Sequence, residues 1–115
     1  IPAVAYQVDS GAASWVYSGD TTFCEDFWQA LNHIANLKYV LIEATCLNSN
    51  TAGALRSGHM TAGLLAQGLS LLKQPAELFI VHMDAGREDD TLHEVLQAAG
   101  KFGPQALEQG REFVF

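Results

Sequence analysis

Apolar residues along the chain form two continuous runs, 39–42 and 78–81, of the kind typical of strands covered on both faces. Shorter apolar runs bounded by turn residues predict three further strands, at 3–8, 14–18 and 111–115. The first two of these are expected to form a hairpin around the turn Asp9-Ser10-Gly11. The pattern therefore predicts a sheet assembled from short segments spread over the whole chain.

Between the strands, apolar residues recur at helical spacing and predict helices over 22–36, 61–72 and 91–99. The first and last are expected to begin with capping boxes, Thr22 with Glu25 and Thr91 with Glu94. The stretch 46–57 is rich in Asn, Ser, Thr and Gly and is expected to be a loop. The order β-β-α-β-α-β-α-β indicates α/β layers. We expect strands 39–42 and 78–81 to be parallel neighbours, with helices 22–36 and 61–72 on one face.

Composition narrows the class of protein. The chain has 115 residues, 49% of them hydrophobic, so we expect residues 1–115 to form a single domain. Thirteen acidic and six scattered basic residues give a net charge of −7, which disfavours binding to long nucleic acids. No apolar run reaches the roughly 18 residues of a membrane span. Two widely spaced cysteines indicate reduced thiols in a cytoplasmic protein.

Four chemically capable side chains lie next to the apolar runs. Asp20 follows the strand 14–18, Glu43 directly follows 39–42, His82 directly follows 78–81, and His59 precedes the helix 61–72. In open α/β sheets, functional side chains gather at the carboxyl ends of strands, so we expect these four to meet at one rim of the sheet. Carboxylates with imidazoles are ligands that Zn²⁺, Mn²⁺ or Fe²⁺ prefers.

Each of these residues taken alone also has a structural explanation. An Asp in a Gly-Asp-Thr turn is commonly a turn former or cap, and a lone His after a strand or before a helix is commonly structural. Glu43 is different, because a carboxylate after a buried strand needs a partner. The successive separations of the four residues are 23, 16 and 23, about one strand–helix unit each. Their combination therefore favours a site.

At these positions the chain resembles the C-terminal half of the metallo-β-lactamase superfamily. The resemblance rests on Ser18-Gly19-Asp20-Thr21, Glu43-Ala44-Thr45, Gly58-His59-Met60-Thr61 and His82, and it runs over residues 4–115. It is strongest to the branch that holds class II cyclic-nucleotide phosphodiesterases and ribonuclease Z. The resemblance implies an α/β fold that is the second half of an αββα sandwich, with a mixed sheet and helices on one face.

The same resemblance implies residue roles. Asp20 would bridge two divalent metal ions, zinc before manganese or iron. His82 would ligate one of them, and Glu43 with His59 would form a catalytic pair for proton transfer. The family's His-x-His-x-Asp-His segment and one further His are absent from the chain. Two ligands are therefore present, and we expect the other five to come from residues outside this chain.

Two functional hypotheses follow. The first is a metal-dependent hydrolase that cleaves a small, cyclic nucleotide-like phosphodiester and lacks part of its metal motif in this chain. The second is a non-catalytic half-domain that dimerises, because a half sandwich leaves sheet surface uncovered. In either case we expect a partner, which is an N-terminal half or a second copy in a homodimer. Since the chain begins at Ile1 rather than Met, we expect it to be an excerpt, a processed product or a free-standing half.

Overall fold

A computed structural model describes residues 4–115 and contains one five-stranded sheet in the order β1-β2-β3-β4-β5. The strands are β1 Tyr6–Asp9, β2 Ser14–Tyr17, β3 Leu37–Glu43, β4 Glu77–Val81 and β5 Gln105–Ala106. β1 pairs with β2 in the antiparallel sense as a hairpin, and every other neighbouring pair is parallel. The mixed sheet is therefore confirmed, as is the parallel pairing of the two continuous apolar runs. The predicted start of the first strand at Ala3 lies outside the described residues.

The helices cover one face of this sheet, as expected. They are α1 Glu25–Asn32, α2 Thr51–Ser57, α3 Ala62–Leu69 and α4 Glu88–Ala99. Each contributes a fully buried side chain to one hydrophobic core, namely Trp28, Ala54, Leu65 and Val95. Alternate residues of the central strands, such as Val40 and Ile80, point into the same core, because side chains alternate between the faces of a strand. Within residues 4–115, no helix is long and apolar enough to span a bilayer.

The opposite face carries a smaller aromatic cluster. Tyr39, Leu41 and Phe79 are buried there beneath the C-terminal residues. The ring of Phe113 lies 4.9 Å from that of Tyr39 and 5.2 Å from that of Phe79, centroid to centroid. The predicted strand at 111–115 is therefore wrong: this fully described segment forms no ladder and packs across the sheet instead. The apolar side chains of this segment, Phe113 and Phe115, pack against the face of the sheet instead of forming part of a strand.

Strand β1 forms an edge of the sheet with exposed apolar side chains. Val4, Tyr6 and Val8 are all at least half exposed. Tyr6 lies opposite Tyr17 and Val8 opposite Trp15, so these residues extend the aromatic face toward the edge. An uncovered apolar edge is a surface that another chain segment can pair with or pack on.

Several predicted helix boundaries need correction. The predicted loop 46–57 contains α2, which ends at Gly58 in the left-handed conformation that glycine tolerates. The predicted helix 22–36 is shorter and begins at Glu25 after Cys24, without a side-chain cap.

The last helix begins three residues before its predicted start. Thr91 lies inside α4, whose first turn carries Glu88 and two further acidic residues. Acidic groups at a helix N-terminus interact favourably with the helix dipole, and this interaction stabilises the helix start at Glu88. The predicted helix 61–72 is α3, where the Thr61 hydroxyl accepts from the Leu64 N–H at 3.2 Å and the helix ends at Leu69.

Gly68 lets α3 approach α1 closely. A Cβ at this position would overlap the buried indole of Trp28. We expect Gly68→Ala to lower the free energy of unfolding by about 1–3 kcal/mol through overpacking. This loss should exceed the gain of about 1 kcal/mol in helix propensity. Urea denaturation followed by circular dichroism measures the change. Gln67→Ala, exposed on the same helix, is the control, and equal stability of the two variants would contradict this packing.

Candidate metal and acid–base site

Four polar side chains meet at the carboxyl-end rim of the sheet. Glu43 is the last residue of β3 and lies opposite Val81 of β4, so it is next to His82. Asp20 follows β2, where the Ser18 N–H still donates to the Leu41 carbonyl at 2.9 Å. Ligand atoms of Asp20, Glu43, His59 and His82 all lie within 4.8 Å of one another. The structure therefore brings together all four residues singled out in the sequence.

His59 reaches this rim from the turn between α2 and α3. Its N–H donates to the Ala54 carbonyl at 2.9 Å, and the neighbouring Met60 carbonyl accepts from the Cys46 N–H at 3.1 Å. Met60 is fully buried, which anchors the turn in the core. These contacts fix the backbone of His59 beside the end of β3.

Glu43 is fully buried, yet its carboxylate is well satisfied. Oε1 accepts from the Thr21 N–H at 2.7 Å, Oε2 is in contact with the Thr45 hydroxyl, and His59 Nδ1 lies 2.9 Å from Oε2. Burial of an unpaired carboxylate is costly, and these donors offset that cost. The buried position of Glu43 predicted that its carboxylate needs a partner, and that partner is the imidazole of His59.

The pair of Glu43 and His59 has the chemistry of an acid–base group. With the Nδ1–H donated to the carboxylate, Nε2 is the nitrogen left for proton exchange. The His59 side chain is 23% exposed, so the imidazole is partly accessible while its carboxylate partner is not. Histidine exchanges protons near neutral pH, and a carboxylate on the other nitrogen fixes its tautomer.

Asp20 and His82 form a second, more exposed pair. Asp20 Oδ1 lies 3.0 Å from His82 Nδ1, and the side chains are 61% and 48% exposed. The same nitrogen is 3.5 Å from Glu43 Oε2. His82 adopts a φ of 56°, in the left-handed region that few non-glycine residues enter. Such strain is common where a side chain must be aimed at a functional site.

The exposed pair, Asp20 and His82, has the separation expected of two ligands of one metal ion. Two ligands about 2.0–2.1 Å from a tetrahedral zinc ion are about 3.3 Å apart, close to the separation of Asp20 Oδ1 and His82 Nδ1. Catalytic zinc normally has three or four protein ligands, so these two are not a complete set. The residues fit a metal site that other residues must complete.

The local charge also favours a cation. Within residues 4–115, the ion pairs found involve only His59 and His82, so no Lys or Arg neutralises Asp20 or Glu43. Burial, followed by the charges of Asp20 and Glu43, raises the pKa of Tyr17 at the end of β2. Burial, with the charges of Glu43 and Asp84, likewise raises the pKa of the Cys46 thiol. In both groups burial is the larger cause, and the negative charges of the rim carboxylates raise the pKa in the same direction.

Sequence reasoning assigned no role to two residues that complete the site. The Thr45 hydroxyl contacts Glu43 and lies 2.7 Å from the His82 carbonyl oxygen and 3.2 Å from His82 Nδ1. Its position two residues after Glu43 is a signal in the sequence, because such residues lie on the same side of an extended chain. Thr21 acts through its backbone N–H, which no side-chain pattern reveals.

No protein-family model and no curated protein matches this chain. Several solved structures, including the following two, are similar to it. The metallo-beta-lactamase fold protein YhfI from Bacillus subtilis superposes with a TM-score of 0.72 at 18% identity, covering 93% of this chain and 42% of that one. Unliganded yeast PDE1 gives a TM-score of 0.69 at 19% identity, covering 90% of this chain and 38% of that one. The chain therefore has the metallo-beta-lactamase fold over a half-domain and spans about two fifths of these proteins, which confirms the expected fold.

Proposed function

We propose that this chain supplies half of the active site of a metal-dependent hydrolase that cleaves a small phosphodiester, with a cyclic nucleotide as the favoured substrate. The observation that carries the proposal is the convergence of two carboxylates and two imidazoles within 4.8 Å at one rim. They divide into an exposed pair suited to a metal and a pair with a buried carboxylate suited to proton transfer. The likeness in fold to YhfI and yeast PDE1 supports this proposal.

Asp20 and His82 would hold metal, with the remaining ligands supplied from outside this chain. Two divalent ions, zinc before manganese or iron, would supply Lewis-acid polarisation and a water molecule of lowered pKa. His59 would donate a proton from Nε2 to the leaving oxygen. Glu43 would keep the Nδ1–H of His59 in place and stabilise the charged imidazolium, since its carboxylate lies 2.9 Å from that nitrogen.

A small substrate is favoured over a long nucleic acid. The chain carries a net charge of −7 with only six basic residues, and a long phosphate backbone would be repelled by such a surface. A small phosphodiester brings only one negative charge to the site, where metal ions offset it. The name of yeast PDE1, which denotes a phosphodiesterase, favours a phosphodiester as the bond that is cleaved.

The alternative proposal is a non-catalytic half-domain that forms a homodimer. It is favoured by the exposed Val4, Tyr6 and Val8 at the β1 edge, which a second copy could cover. In the hydrolase proposal, the N-terminal half of a longer protein would cover the same edge and supply the missing ligands.

One experiment separates these proposals. The complete protein that contains this chain is purified, its metal content is measured by mass spectrometry, and hydrolysis of 3′,5′-cyclic AMP is assayed. We expect about two zinc ions per chain, and hydrolysis that a chelator removes and zinc restores. A metal-free, inactive dimer would favour the alternative. A metal-loaded protein without this activity would retain the metal site and exclude 3′,5′-cyclic AMP as the substrate.

A further inference from the structure

The Thr45 hydroxyl contacts both pairs of the site at once. It touches Glu43 Oε2 on one side, and it lies 2.7 Å from the His82 carbonyl oxygen and 3.2 Å from His82 Nδ1 on the other. Thr45 itself is partly buried, because it lies between the ends of β3 and β4. Its hydroxyl is thus a direct connection between the proposed proton-transfer pair and the proposed metal ligands.

A hydroxyl group has one proton and two lone pairs. The Thr45 O–H can therefore donate to either the Glu43 carboxylate or the His82 carbonyl at one time. When His82 Nδ1 carries a proton, a lone pair of the hydroxyl can accept from it; when that nitrogen binds metal, the hydrogen bond to the His82 carbonyl is the one that remains. A valine in this position would keep the shape of the side chain and lose every one of these interactions.

His82 needs such a contact because its backbone is strained. A φ of 56° is unfavourable for a residue with a Cβ, and it persists only where surrounding contacts hold it. The hydrogen bond to the His82 carbonyl acts directly on this backbone. The direction of the imidazole, and with it the 3.0 Å approach of Nδ1 to Asp20, depends on the same backbone conformation.

We infer that Thr45 is a positioning residue whose hydroxyl holds the left-handed backbone of His82 and thereby aims its imidazole at the metal position beside Asp20. The inference rests on the proposed function, in which Asp20 and His82 bind metal. Thr45 acts through His82 and Glu43 and has no role as a ligand.

The test compares Thr45→Val with Thr45→Ser in the complete protein. Zinc affinity is measured by competition with a chelator. We expect Thr45→Val to bind zinc about 10–100-fold more weakly, the usual effect of losing a group that orients a ligand. Thr45→Ser keeps the hydroxyl and should restore affinity to within a few-fold of the native protein. If Thr45→Val does not fold, Thr45→Ala and Thr45→Ser form a second pair that differs by one hydroxyl.

A second readout needs no metal. In the metal-free protein, long-range ¹H–¹⁵N spectra of the imidazoles report the tautomer of His82. We expect one tautomer in the native protein and in Thr45→Ser, where the Asp20 carboxylate holds the Nδ1–H. In Thr45→Val we expect averaging between tautomers, because the imidazole is no longer kept beside Asp20. If Thr45 had a purely structural role, Thr45→Val would be less stable than the native protein, but His82 would have the same tautomer in both.

The inference is overturned if Thr45→Val binds zinc as tightly as the native protein, or if Thr45→Ser is as weak as Thr45→Val. His82→Ala shows which idea has failed. If His82→Ala also retains native zinc affinity, the proposed metal role of His82 is wrong. If His82→Ala binds weakly while Thr45→Val binds tightly, only the positioning role is wrong.

Discussion

Asp20→Ala is expected to reduce phosphodiester hydrolysis by the complete protein to background and to release bound metal. Its Oδ1 atom lies 3.0 Å from His82 Nδ1. The other carboxylate of the site, Glu43, is already bonded by the Thr21 N–H and by His59 Nδ1. In the proposed function Asp20 would hold both ions, and no other carboxylate among the four site residues is free to take its place. Metal stoichiometry should fall from about two ions per chain toward zero. His82→Ala should lose activity as well, through weaker binding of one ion.

The measurement is metal content beside turnover for each purified variant. Asp26→Ala is the matched control, because Asp26 is an exposed carboxylate on α1 that contacts none of the four site residues through an ion pair. It should retain native metal content and rate. If Asp20→Ala keeps native metal content and a native rate, the assignment of Asp20 as a metal ligand is wrong, and the non-catalytic dimer becomes the better explanation of the chain.

The position of the site could be predicted because it follows from strand order. Glu43 and His82 each end a continuous apolar run, and the carboxyl ends of parallel neighbours lie on the same edge of a sheet. The pairing of Glu43 with His59 was not fixed by this rule. It depends on the turn that anchors His59 through Ala54 and Met60, and such tertiary contacts leave no periodic pattern in the sequence.

The elements that were mispredicted show tertiary contacts overriding local signals. Residues 51–57 have a loop-like composition, yet they form α2 because Ala54 is buried in the main core. The alternating pattern at 111–115 favours a strand, but Phe113 gains contact with Tyr39 by crossing the sheet. Thr91 has the spacing of a cap, and it lies buried inside α4 because that helix begins at Glu88. The hydrophobic pattern of the sequence was therefore sufficient to predict β3 and β4, whereas α2, the start of α4 and the C-terminal segment depend on tertiary packing.

His59→Ala is expected to separate catalysis from metal binding. His59 Nδ1 is held by Glu43 rather than by Asp20, and its ring centroid lies 5.5 Å from that of His82. Removing the imidazole should therefore leave metal content nearly native. Turnover should fall about 10²–10⁴-fold, the usual loss when a positioned acid or base is removed.

The control is His93→Ala, which removes an exposed imidazole from α4 and should change neither quantity. The two measurements together assign the role of His59. A native rate in His59→Ala would exclude proton transfer by this residue, whose Nδ1 lies 2.9 Å from Glu43 Oε2, against 3.5 Å for His82 Nδ1. A parallel loss of metal and rate would place His59 among the metal ligands, since a proton donor at Nε2 contributes to turnover and not to metal affinity.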